Sequence, residues 1–276
     1  MNSSQVDSEY HSVFMPSFRL TFSDVVSHGQ GMEQFGIPVS SGFNNNELCS
    51  MSSILPHEKI ELHNIKSILP TTLYDIPDIM VLIMRGFFND EANNILKVLS
   101  SSENSDNDGN IVGLQWDTQR VKNGKIVENR LSNKLVFYDL MGNYKYPSDF
   151  SQNRGTIYNY KKIPALNNLH KVLFSTMGAG MGIEADSFPN IQECYIPMAQ
   201  EKIKRKNIGM ILGSDFPLHF RWYHNQQSCS DLYTINLKHG DLYILSDDAA
   251  GYQKELKTKL YLKHGLGYNQ KLTTEN

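Results

Sequence analysis

The chain is short of cysteine, of long apolar runs and of net charge, and each shortage excludes something. Cys49, Cys194 and Cys229 are the only three cysteines in 276 residues, and no two stand in a C-x-x-C spacing. A disulfide framework and a zinc knuckle are therefore not expected, and a reducing compartment is. The longest apolar run, "IMVLIM" at residues 79 to 84, is far too short to span a bilayer. The opening "MNSSQVDSEYHSVF" has neither a basic start nor an apolar stretch, so no secretory leader is expected. A formal charge of −3 gives no whole-chain field toward nucleic acid or membrane, and any such binding needs a local patch.

What is present is an ordinary globular composition, 40% apolar and 20% charged, with a pattern that changes along the chain. "FRLTF" alternates and predicts a strand over 18–22. Ser and Asn residues are placed to cap a short helix over 46–54. "DIMVLIMRGFF" predicts a buried strand, followed by a helix over 90–99. The polar stretch "SSSENSDNDGN", residues 100 to 110, predicts a loop and the most mobile segment. Asn123-Gly124 sits between two alternating runs, which is a hairpin signal. "IPALNNLHKVLFSTM" carries apolar residues at helical spacing. From residue 190 on, short strands are expected at 193–198, 206–212, 217–224, 232–237, 241–246 and 258–263. That density predicts a sandwich or barrel. The fold class is α+β, with an N-terminal extension over 1–110 packed on a β core over 111–276.

Several collinear stretches carry a resemblance. They are "FRLTFSDVVSHGQGMEQFGIPVSSGF", "LQWDTQRVKNGKIVENRLSNKLVF", "RGTIYNYKKIPAL", "IGMILGSDFPLHFRWYH" and "INLKHGDLYILSDDAAGY", the last followed by "LYLKHGLG". Together they resemble AlkB-like 2-oxoglutarate- and iron-dependent dioxygenases, in a branch found in giant viruses and some microbial eukaryotes. The resemblance implies a double-stranded β-helix (jelly-roll) core. It also implies a facial triad of two His and one carboxylate for Fe(II). The triad's positions fall on Ala199, Glu201 and His264. Ala199 has no donor atom, Glu201 keeps a carboxylate one methylene longer, and His264 is intact.

Other family positions differ too. Asn129-Arg130-Leu131-Ser132, Tyr252-Gln253-Lys254 and Lys263 replace the family's residues. No Arg follows His264 to clamp 2-oxoglutarate, and Lys271 could serve only as a point charge. The resemblance thus implies a degenerate member: no catalytic residue, no metal and no cofactor expected, and a role in binding nucleic acid (RNA or DNA) or a protein complex, without a membrane. Two alternatives stay open. One is an active oxygenase using Fe(II) and 2-oxoglutarate through altered ligands; the other is a structural subunit of a larger assembly. The expected location is the cytoplasm, the host's if the source is viral.

The remaining candidates are weighed by residue type. Glu184-Ala185-Asp186 has the spacing of a metal pair, but an isolated acidic pair is usually solvated. His219 and His224 read as packing and hydrogen-bonding residues, and His239 as a turn former before Gly240. "KIKRK" is the one basic cluster. If it continues a strand, Ala199, Glu201, Ile203 and Arg205 face inward and Lys202, Lys204 and Lys206 outward. With Arg205, Trp222 and Tyr223 those lysines are the candidate nucleic-acid contacts, the aromatics as stacking platforms. Core or pocket-wall packing is the competing reading for Trp116, Trp222 and Tyr223.

Overall fold

A computed structural model describes residues 16–55, 57–70, 72, 76–177, 182–251, 260–268 and 272. The fold is mixed α+β and mostly strands. The larger sheet has nine strands in the order β11 (Lys145–Tyr146), β12 (Ile157–Asn159), β10 (Asn133–Tyr138), β13 (Gly182–Phe188), β1 (Ser17–Ser23), β15 (Asn207–Leu212), β19 (Leu242–Leu245), β5 (Met80–Met84) and β4 (Ile60–Asn64). The smaller runs β14 (Ile196–Ala199), β20 (Leu260–Leu266), β16 (Phe216–His224) and β17 (Gln227–Ser228), with β18 (Tyr233–Leu237) also paired to β16. Among the described residues no helix is long and apolar enough to cross a membrane.

Period-2 alternation sorts the larger sheet into two faces. Phe18, Leu20 and Phe22 of β1 join Ile183 and Ala185 of β13 and Met210 of β15 in a core shared with α2 (Asn89–Ser100) and α3 (Pro164–Met177). The other face carries Ile211, Tyr243, Leu245, Val81 and Ile83. These pack with Phe216, Leu218, Phe220, Trp222, Leu262 and Leu266 of the smaller sheet in a second core. Fully buried Trp222 spans this core, and its indole N–H donates to the Ile65 carbonyl at 3.1 Å.

Local signals are met where the physics is local. Asn44 caps α1 (Asn45–Ile54) in a reciprocal capping box with Glu47. Asn123 and Gly124 take φ of 52° and 73°, joining β8 (Gln119–Lys122) to β9 (Lys125–Glu128) through the left-handed turn that hairpin twist favours. The 100–110 stretch is not simply a loop. Asn104–Ser105 pairs with Ile111–Gly113, and the Asp106 carboxylate accepts the N–H groups of Asp108 and Asn110.

Strands from before residue 110 take part in the larger sheet: β1 lies between β13 and β15, and β5 pairs β19. The break expected between the strands at 193–198 and 206–212 is present: β14 ends at Ala199 and β15 begins at Asn207, so the alternation considered for "KIKRK" does not apply. The chain between them is a loop held by buried Asp24, whose Oδ1 accepts the backbone N–H of Arg205 at 3.0 Å and of Lys206 at 3.1 Å.

Gly209 of β15 faces Tyr243 of β19 in register, and the tyrosine ring lies where a Cβ would stand. Gly209→Ala should therefore cost about 1–3 kcal/mol through overpacking, read as a lower midpoint in urea unfolding with an unchanged slope.

Candidate functional site

On the face of the larger sheet that meets the smaller one, the apolar pattern breaks at β1, β10 and β13. Arg19 and Thr21, Lys134, and Glu184 and Asp186 occupy its polar positions. The fully buried Asp186 carboxylate accepts from Arg19 Nε at 3.0 Å, from Arg19 Nη2 at 2.6 Å and from Ser132 Oγ at 2.9 Å. It also meets the Lys134 ammonium. Burial alone would raise the Asp186 pKa; Lys134 and then Arg19 override it and hold the group below its ordinary range. Burial opposes the charge on Arg19 as well, and Asp186 keeps it above its usual value.

Glu184, two residues earlier on the same face, accepts the Ser27 N–H at 2.7 Å and the Lys204 ammonium at 2.6 Å. Lys204 Nζ also lies 3.8 Å from Glu201. Burial disfavours the charge on Lys204, and Glu184 and Glu201 together raise its pKa above the ordinary value. Three cations (Arg19, Lys134, Lys204) thus meet three carboxylates (Asp186, Glu184, Glu201). Such pairing is what permits charges to leave water.

The three positions singled out by the resemblance do converge. Ala199 and His264 are register partners across β14 and β20. His264 alternates with Gly265, whose outer face is covered by Met198, so His264 and Ala199 share the inner face. The His264 Nδ1 is buried without a hydrogen-bond partner. Burial drives its pKa down to about 4, Glu201 resisting and Arg19 and Lys204 assisting, so the imidazole is neutral at pH 7. Ala199 supplies no donor, and the Lys204 ammonium lies between the Glu184 and Glu201 carboxylates. Among the described residues no three Asp, Glu, His or Cys side chains are set to hold a metal ion. The donor set does not fit Fe(II), which wants three neutral or anionic ligands on one face and open positions opposite.

The basic cluster is not an outward row. Lys204 turns inward, Ile203 is exposed and Lys202 points to solvent. Lys206 lies over the Phe43 ring at 4.9 Å, and Arg205 is half-buried. The reason is the loop: alternation fails once the strand ends at Ala199. Trp222 is sealed in the core and offers no face to a base. Tyr223 is buried too, stacked on Tyr261 at 5.6 Å with Lys263 Nζ 4.2 Å above its ring. Trp116 stacks on Phe18 and donates to the Leu99 carbonyl. His219 bonds Thr234 and the Gly267 carbonyl, and the His239 Nδ1 accepts the Gly213 N–H. Lys271 and Tyr252-Gln253-Lys254 lie outside the described residues.

Sequence reasoning missed Arg19, Lys134 and the buried state of Glu184 and Asp186. The signal was there: polar residues at period 2 within otherwise apolar strands, with opposite signs on different strands.

A second feature is a groove of about 660 Å³ beside the β8–β9 hairpin, lined by Arg120, Lys122, Glu128, Arg130, Ser132 and Lys134. Lys134 is committed to Asp186. Among the described residues, Arg120, Lys122 and Arg130 meet no carboxylate, and the Arg120 Nε is buried without a partner.

The chain is similar to an uncharacterized protein of Acanthamoeba polyphaga mimivirus, 24% identical over 251 residues, which cover 90% of this chain and 94% of the viral one. No protein-family model matches the chain.

Removing one charge from the cluster strands its partners. Asp186→Asn leaves Arg19 and Lys134 without their shared carboxylate and should cost about 3–5 kcal/mol, measured by urea unfolding at pH 7. The depressed Asp186 pKa adds a sign. Its contribution is fully present above the unfolded-state pKa, near 3.8, and is lost as the pH falls below it. The gap between wild type and Asp186→Asn should narrow in acid.

Proposed function

We propose that this protein is an AlkB-like dioxygenase fold that has given up iron chemistry and acts as a binding module for single-stranded nucleic acid. Two facing sheets with His264 and Ala199 paired on the inner face support a double-stranded β-helix of that kind. The observation that carries the non-catalytic reading is the Lys204 ammonium, 2.6 Å from Glu184 and 3.8 Å from Glu201 on the inner face beside His264. A tethered cation there repels a second one and neutralises the carboxylates a metal would use. Lys204 and Ala199 together remove both the charge and the ligand count that Fe(II) requires.

Binding is assigned to the groove by the β8–β9 hairpin rather than to residues 202–206. Arg120, Lys122 and Arg130 supply unpaired cations, whereas Lys204 spends its charge internally. Three phosphate contacts give a slope of log affinity on log salt near −2, at about −0.7 per contact for single strands.

Two measurements test this reading. After anaerobic loading with Fe(II), elemental analysis should find iron far below one equivalent per chain, and no succinate should form from 2-oxoglutarate. Stoichiometric iron lost on changing Glu201 or His264, with succinate turnover, would favour an active oxygenase instead. Fluorescence anisotropy with short RNA and DNA at several salt concentrations should give the slope above. Replacing Arg120, Lys122 and Arg130 by Gln should flatten it by about 0.7 each. Absence of binding at low salt would turn the reading toward a protein partner.

A further inference from the structure

The far end of β10 opens on a second concavity, of about 480 Å³, between that strand and α3. Three aromatic rings form a ladder in its wall. Tyr160 and His170 stack with centroids 4.2 Å apart and planes 24° from parallel. Phe174, one helical turn further along α3, continues the ladder at 6.2 Å and 14°. The inner rings are buried, but Phe174 is 45% exposed. An aromatic ladder that ends in a half-exposed ring presents a flat apolar surface, and among the described residues no further ring continues it. An offset-stacked ring is the arrangement such a surface favours.

The charges around it are unequal. The Lys161 ammonium is bound by Asp139 at 2.7 Å, which neutralises that pair. Lys171, also lining the concavity, is exposed, and among the described residues it meets no carboxylate. Asp139 in addition accepts the Met141 N–H at 3.2 Å, which holds Met141 at a φ of 49° with its side chain 97% exposed at the rim. Left-handed backbone at a residue other than glycine costs energy, and such strain clusters at ligand clamps. A polarizable thioether beside an aromatic surface suits contact with another ring. The volume falls in the range of sites for small organic ligands.

We propose that this concavity binds a small planar aromatic anion, its ring stacked on Phe174 and its acidic group directed to Lys171. This site is independent of the basic groove and of the buried ion cluster.

The probe is 1-anilinonaphthalene-8-sulfonate, which joins flat rings to one negative charge. N-phenyl-1-naphthylamine, the same rings without the sulfonate, is the neutral comparison. Fluorescence titration of the full chain should saturate at one sulfonate dye per chain. Phe174→Ala should weaken both dyes by about tenfold or more, since it removes the stacking surface. Lys171→Gln should weaken the sulfonate dye about threefold or more and leave the neutral dye unchanged. Both substitutions lie on the exposed side of α3, and thermal melts establish that the variants remain folded. Dye binding that does not saturate, or that survives Phe174→Ala in a folded variant, would overturn the assignment. Equal losses of both dyes on Lys171→Gln would overturn the anionic part of it.

Discussion

The buried Asp186 carboxylate is the constraint that the surrounding strands are arranged to satisfy. A charge with no solvent exposure persists only where opposite charge and hydrogen bonds replace water. Arg19, Ser132 and Lys134 do this from β1, the approach to β10, and β10 itself. A shift of one residue in any of these pairings would turn the partners to the opposite face, where α2 and α3 pack. The cluster therefore acts on register more than on net stability, because burying ion pairs seldom gains much over apolar packing.

The same logic extends to the loop between β14 and β15. Lys204 ties it to Glu184 on β13, and Asp24 at the end of β1 holds the neighbouring backbone N–H groups. Within this cluster cations and carboxylates are matched three to three. Unspent charge is found instead at the two ends of β10. The groove by the hairpin carries Arg120, Lys122 and Arg130, and the concavity on α3 carries Lys171. This distribution of charge is what the proposed binding sites rest on.

How much of this was legible in the sequence follows from the range of the forces involved. The α1 cap at Asn44, the Asn123-Gly124 turn and the α3 amphipathic face rest on contacts within a few residues, and each stands as expected. Strand spacing after residue 190 was legible for the same reason. The place of β1 in the middle of the larger sheet was not, because its pairing with β13 and β15 joins residues more than 150 positions apart. At the candidate site, Ala199 and His264 are register partners across β14 and β20. The inward turn of Lys204 was not legible in the sequence. Alternation carries a side chain's direction only while the strand lasts, and the backbone leaves the strand at Ala199. Trp222 was open to two readings in the sequence, core packing or base stacking, and it lies in the second core.

The central claim is that an ammonium, Lys204, stands beside His264 and Glu201 in place of a metal ion. Crystals grown or soaked with Mn²⁺ test it by anomalous scattering. The account predicts Lys204 Nζ between Glu184 and Glu201 and no anomalous peak beside His264. A peak ligated by His264 and Glu201, with Lys204 displaced, would contradict it.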